Sequence, residues 1–165
     1  MGSHYDELHP HLKAAHEAPL TASGTVAVVG ADRAIGRWIA RILSLPKSGE
    51  GMSLEVEVSH SPDGQVWSRK FGQQSIVTRQ TMYDGLMREI SGPGTIEIAV
   101  SKEAEGLVYR STRARWAGIP LPRPISPQVH ATVKPTDQGW VAKVEISMPL
   151  FGRLCTYTAE ITQWT

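Results

Sequence analysis

From Met52 onward the apolar residues of this chain fall at every second position. Leu54, Val56 and Val58 alternate with Glu55, Glu57 and Ser59, the mark of a strand with one face covered and the other wet. Ile96, Ile98 and Val100 repeat the pattern against Glu97 and Ala99. Turn residues cut it at regular intervals: Ser61-Pro62-Asp63-Gly64, Phe71-Gly72, Asp84-Gly85, Gly92-Pro93-Gly94, Gly106 and Asp137-Gln138-Gly139. Strands are therefore expected near 54–58, 66–71, 75–83, 86–90, 96–100, 107–116, 129–133, 140–148 and 154–161. That makes about nine, at the spacing of a hairpin meander.

Before Met52 the period is longer. Tyr5, Leu8, Leu12 and Ala15 recur at helical spacing and predict a first helix over 5–18, ended by Pro19. A short β-branched run, 25–29, predicts a strand. Ile35, Trp38, Ile39 and Ile42 form an i, i+3, i+4, i+7 stripe with Asp32 placed to cap its start and Pro46 to stop it. The expected fold is mainly β, in the α+β class. It is a curled antiparallel sheet or barrel of about nine strands with two N-terminal helices, the second a plug or lid. The chain is expected to form one domain over 1–165, with a helical and first-strand segment, 1–46, ahead of the meander, 52–165. Trp38 is expected to be buried against the sheet. Leu54, Val56 and Val58 should face the same interior as Ile96, Ile98 and Val100. The closely spaced Pro120, Pro122, Pro124 and Pro127 predict an extended crossover.

Composition changes this picture little but narrows function. A hydrophobic fraction of 41% with 20% charged residues is ordinary for a globular chain. The net charge of +1 argues against a dedicated nucleic-acid-binding domain. The single Cys155 cannot form an internal disulfide and reads as a small buried side chain. No run is long enough to span a membrane as a helix, and the N-terminus has no apolar secretory region, so a cytoplasmic location without integral membrane association is expected. Met1-Gly2-Ser3-His4 resembles a tag remnant, so His4 carries no weight.

Candidate chemistry is sparse. The stretch from Val26 to Gly36 looks like the strand–glycine turn–helix opening of a dinucleotide site, but hairpins follow where a second βαβ unit is needed. No cofactor and no metal are expected. His9 and His11 cannot face one way on a helix, and with His16 they read as solvated surface. His60 and His130 have no nucleophile pattern beside them. The arginines in strands are more informative. Trp67, Arg69 and Phe71 share one face by parity, so Arg69 is either stacked between aromatics or aimed at an anion. If Glu89 or Glu145 pairs with it, the arrangement is structural. Arg113 and Arg115 share the parity of Tyr109 and Ser111, and no acidic residue occurs from Gly106 to Thr136. The ligand-binding candidates are Arg69, Trp67, Phe71, Arg113, Arg115, Tyr109 and Trp38, with no catalytic residue assigned.

A set of motifs in fixed order also resembles a known family. They are Tyr5-Asp6-x-Leu8-x-Pro10-x-Leu12 with His16, and Arg37-x-x-Ala40-Arg41-x-Leu43-x-Leu45-Pro46. Trp67-x-Arg69-x-Phe71, Gly118-Ile119-Pro120-Leu121-Pro122 and Met148-Pro149-Leu150-Phe151-Gly152-Arg153-Leu154 with Tyr157 complete the set. Together they resemble a bacterial family, the domain of unknown function 4166, over nearly the whole chain. The resemblance implies no activity. It does imply that some relatives carry this domain after a saccharopine-dehydrogenase-like NAD-binding domain, so redox chemistry here would need a separate partner. The expected function is a binding domain for a small apolar or acidic amphiphilic ligand. One alternative is an accessory domain docking on an NAD-dependent oxidoreductase through Ile119, Leu121 and Phe151. Another is an enzyme using Asp84, Glu89, His60 or His130.

Overall fold

The computed structural model describes residue 10 and residues 19–165 other than 105. Of the first expected helix, 5–18, only residue 10 is described, and it is helical; the rest lies outside the described residues. The one α-helix described along its length is α1 (Ala34–Ile42), which follows β1 (Leu20–Gly30). Strands β2 (Gly49–Ser61), β3 (Gly64–Phe71), β4 (Gln74–Tyr83), β5 (Leu86–Ser91), β6 (Gly94–Glu103) and β7 (Gly106–Trp116) run on as hairpins. A proline-rich crossover holds β8 (Ile119–Pro120) and a 3-10 turn over Arg123–Ile125. Strands β9 (Gln128–Thr136), β10 (Gly139–Met148) and β11 (Gly152–Trp164) complete the chain.

All pairings are antiparallel. Strand β1 lies between β2 and β11, and β7 pairs with both β6 and β9, so ten strands close into a barrel with β8 as an added edge piece on β7. Closure is the physical answer to the alternating pattern: an open meander of this length would leave its apolar face wet and two edges unpaired. The Asp84-Gly85 turn takes positive φ at both residues, 51° and 74°, the twist a two-residue hairpin needs. Gly24 sits where β1 shifts register against β11, and any side chain there would run into the Glu160 carbonyl.

The interior holds one apolar core contributed by most strands. Leu54, Val58 and Ile98 are buried in it, and Val56, Ile96 and Val100 pack against it, so the two expected trios do face one interior. A second, small cluster of Ile39, Met148 and Leu154 seats α1 beside β11. Gly36 allows the close approach, with Ala31 and Leu154 against it. The apolar stripe of α1 is wider than the part it buries. Ile39 is covered, but Ile35 and Ile42 are exposed and Trp38 is 60% exposed. The expectation of a buried Trp38 is thus corrected: the helix packs by its Gly36–Ile39 edge, which leaves Trp38 on the outer flank. Asp32 does not cap α1 either. Arg33 is the N-cap without a side-chain bond, while the Asp32 carboxylate accepts from Arg153 at 2.9 Å. No described helix is long and apolar enough to cross a membrane.

Because the strands alternate in direction, the barrel has two distinct ends. One carries the tight turns at Pro62-Asp63, Asp84-Gly85 and Asp137-Gln138. The other, here the mouth end, carries α1, the Gly92-Pro93 turn, the proline-rich crossover and the β10–β11 connection.

Candidate functional site

Inward parity around a closed barrel converges many side chains on one axis. They do not fill it. A cavity of about 400 Å³ runs through the interior and reaches the mouth end, where Ile42–Pro46, the Ser91–Gly94 turn, Trp116 and Leu121 surround it. Its wall is mostly aliphatic and aromatic, including Leu20, Val56, Phe71, Ile98, Val144 and Trp140. No described His or Cys lines it.

Among the polar side chains inside is a compact node on the β3–β4–β5 wall. The Arg69 Nη1 donates to Thr78 Oγ1 at 2.9 Å and to Glu89 Oε1 at 3.1 Å. Thr78 donates to the same carboxylate oxygen at 2.8 Å. The guanidinium lies 4.9 Å from the ring centroid of Trp67, whose indole N–H donates to Gln65. Phe71 packs edge-on against Tyr157. Arg69 is therefore both stacked and paired, which offsets the cost of placing its charge in an apolar wall.

Two phenols belong to the same node. Burial raises the Tyr109 hydroxyl well above its ordinary value and pushes Tyr157 up to about 12; both feel the charges of Arg69 and Glu89. They stay protonated at neutral pH as hydrogen-bonding groups rather than bases. Burial also pushes the Cys155 thiol up to about 11, so it is inert rather than nucleophilic, as its covered position implies.

The structure sorts the sequence candidates. Trp67, Arg69, Phe71 and Tyr109 come together on the cavity wall, and Arg115, though of Arg113's parity, is among the residues around the cavity mouth. Arg113 does not join them. Ile98 pairs with Ser111 but Glu97 pairs with Arg113, so Thr112 is an extra residue on β7. That bulge reverses the parity. Ala114 and Trp116, not Arg113, then share the inner side with Tyr109. Arg113 turns outward to a shallow groove beside Arg123 and Leu150. Trp38 is outside the cavity wall. Half-buried Arg115 keeps an Nε with no hydrogen-bond partner among the described residues.

Of the residues considered for catalysis, only Glu89 reaches the cavity, and Arg69 neutralises it. Asp84, His60 and His130 are exposed. Among the described residues no group of three His, Cys, Asp or Glu is placed to hold a metal. Of the patch expected for docking, Ile119 is 68% exposed, but Leu121 turns into the cavity mouth and Phe151 packs on the Ile39 cluster. Sequence reasoning missed Thr78, Gln80 and Tyr157 as lining residues. Thr78 and Gln80 share the parity of Ile76, which marks that face of β4, but outward Val77 makes the alternation ambiguous.

Comparison with known proteins gives one match. A family model described as "Domain of unknown function (DUF4166)" covers residues 8–161. No curated protein and no solved structure matches the chain.

Proposed function

Since the chain belongs to the DUF4166 family, whose description assigns no activity, we propose from the geometry that the barrel is a binding module for a small ligand with an apolar body and one polar end. The observation that carries this is the apolar cavity of about 400 Å³, open at the mouth. Its size falls within the roughly 300–1,000 Å³ of small-molecule sites, and its lining has their usual character of apolar walls with a few convergent polar groups. An apolar ligand in a space of this shape would make dispersion contacts with most of the surrounding wall.

The polar groups divide the ligand's options. At depth, Arg69 is already neutralised by Glu89, so a carboxylate gains little there and meets Glu89. A hydroxyl or carbonyl fits better, because the node offers both donors and acceptors. An acidic end is matched instead near the mouth by the positive charge of Arg115.

The test is fluorescence titration of the full chain with dansyl-undecanoic acid, with dodecanol and dodecanoate as competitors. Saturable uptake is expected, displaced by both. Ala142→Phe, which fills the cavity from β10, should weaken uptake at least about ten-fold while the protein stays folded. Arg115→Met should weaken the acid and spare the alcohol. A folded protein that takes up none of the three ligands would overturn the reading.

A further inference from the structure

We propose that the mouth end of the barrel docks on an anionic lipid bilayer. The evidence is the juxtaposition of exposed apolar side chains and cationic ones on the connections of that single end. Ile35, Trp38 and Ile42 on α1, Ile119 on β8 and Leu150 between β10 and β11 are all exposed, the last at 59%. They come from three neighbouring connections of that end, β1–β2, β10–β11 and β7–β9, which together span six adjacent strands of the barrel.

The charges follow the same geography. The connection between β1 and β2 carries Arg33, Arg37, Arg41 and Lys47, all exposed, and the crossover carries Arg123. The acid of that connection, Asp32, is held by Arg153. The turns at the opposite end carry Asp63, Asp84 and Asp137 and, among their described residues, no Lys or Arg. Under a net charge of +1, the described connections at one end are thus basic and the described tight turns at the other acidic. In the field of an anionic surface such a molecule turns its basic end toward the lipid. On contact, tryptophan and branched aliphatic side chains enter the headgroup boundary while the arginines stay at phosphate level.

The inference concerns the outer surface and does not require an occupant in the cavity, so the two readings fail separately. The experiment is vesicle flotation of the full chain with phosphatidylcholine alone and with phosphatidylcholine containing phosphatidylglycerol, at low and high salt. The wild type should float with the anionic vesicles only, and high salt should release it. Arg37→Glu with Arg41→Glu should lower binding at least about ten-fold. Trp38→Ser should lower it as well, because the indole anchors the interface. Lys134→Glu on β9, toward the other end, should leave it unchanged. Folding of each variant is read from its circular dichroism. Failure of the folded wild type to float, equal flotation with neutral vesicles, or indifference to the arginine reversals would overturn the proposal. So would a dimer, seen by light scattering, that Trp38→Ser dissociates, since a second copy would then cover this face. Flotation without uptake of dansyl-undecanoic acid would uphold this inference and overturn the cavity reading; uptake without flotation would do the reverse.

Discussion

Arg69 on β3 and Arg113 on β7 look alike in the sequence, each an arginine that shares its parity with an aromatic residue two or four positions away. In the barrel they part. Arg69 keeps an unbroken ladder with β2 and β4, so it stays with Trp67 and Phe71 on the inner wall and finds Thr78 and Glu89 there. Arg113 follows an extra residue at Thr112 and is turned out to solvent. Arg69 meets a carboxylate that lines the same wall, whereas Arg113 lies across from Glu97, which Arg88 holds. Parity locates a side chain only as far as the next bulge.

The most severe way to break the contrast is Arg69→Met, which strands Glu89 in the wall and should cost about 3–5 kcal/mol. Adding Glu89→Met should recover much of that loss, because the pair is then replaced by apolar volume. A single variant as stable as the wild type would show that the carboxylate is well hydrated without its partner.

Alkaline titration sharpens the buried side of the comparison. Tyr157 rises from 10.0 to about 12 on folding, so the folded state holds its proton longer than the unfolded chain does. Its contribution is whole below pH 10 and is lost as pH climbs toward 12. Cys155 adds a similar loss between 9.0 and about 11. Urea midpoints across this window should fall steeply in the wild type and less so in Tyr157→Phe; identical slopes would place the phenol in contact with water. The smallest effect belongs to Arg113→Met. An exposed arginine in a shallow groove should change stability by no more than about 0.5 kcal/mol. A loss comparable to that of Arg69→Met would erase the distinction between the two strands.

The strands were legible because alternation and turn chemistry are local. Every expected strand is present, lengthened by a few residues at its ends where pairing extends past the apolar run. Arg69 was legible for the same reason. What could not be read were features decided by tertiary fit. Trp38 belongs to an apolar stripe, but Gly36 lets the opposite edge of α1 approach β11 and leaves the indole outside. Asp32 had the right spacing for a cap and was taken instead by Arg153, far away in the chain. The Thr112 bulge left no mark in composition. Curling of the sheet followed from the need to cover an apolar face, but whether it closes did not, because the seam, β1 against β11, joins residues far apart in the chain.

That seam sets an order of events in the cell. Ala22 pairs with Trp164 and Gly30 with Cys155, so β1 emerges from the ribosome more than a hundred residues ahead of its partner β11. Until β11 arrives, one edge of β1 stays open and the nascent meander has nothing to seal it. Contacts this distant in sequence are slow to form, and a waiting strand edge invites pairing with neighbouring chains. Synthesis of β11 is therefore a condition of barrel closure. A ribosome that stalls before β11 releases a sheet with its seam undone, fit for aggregation or degradation rather than for partial work.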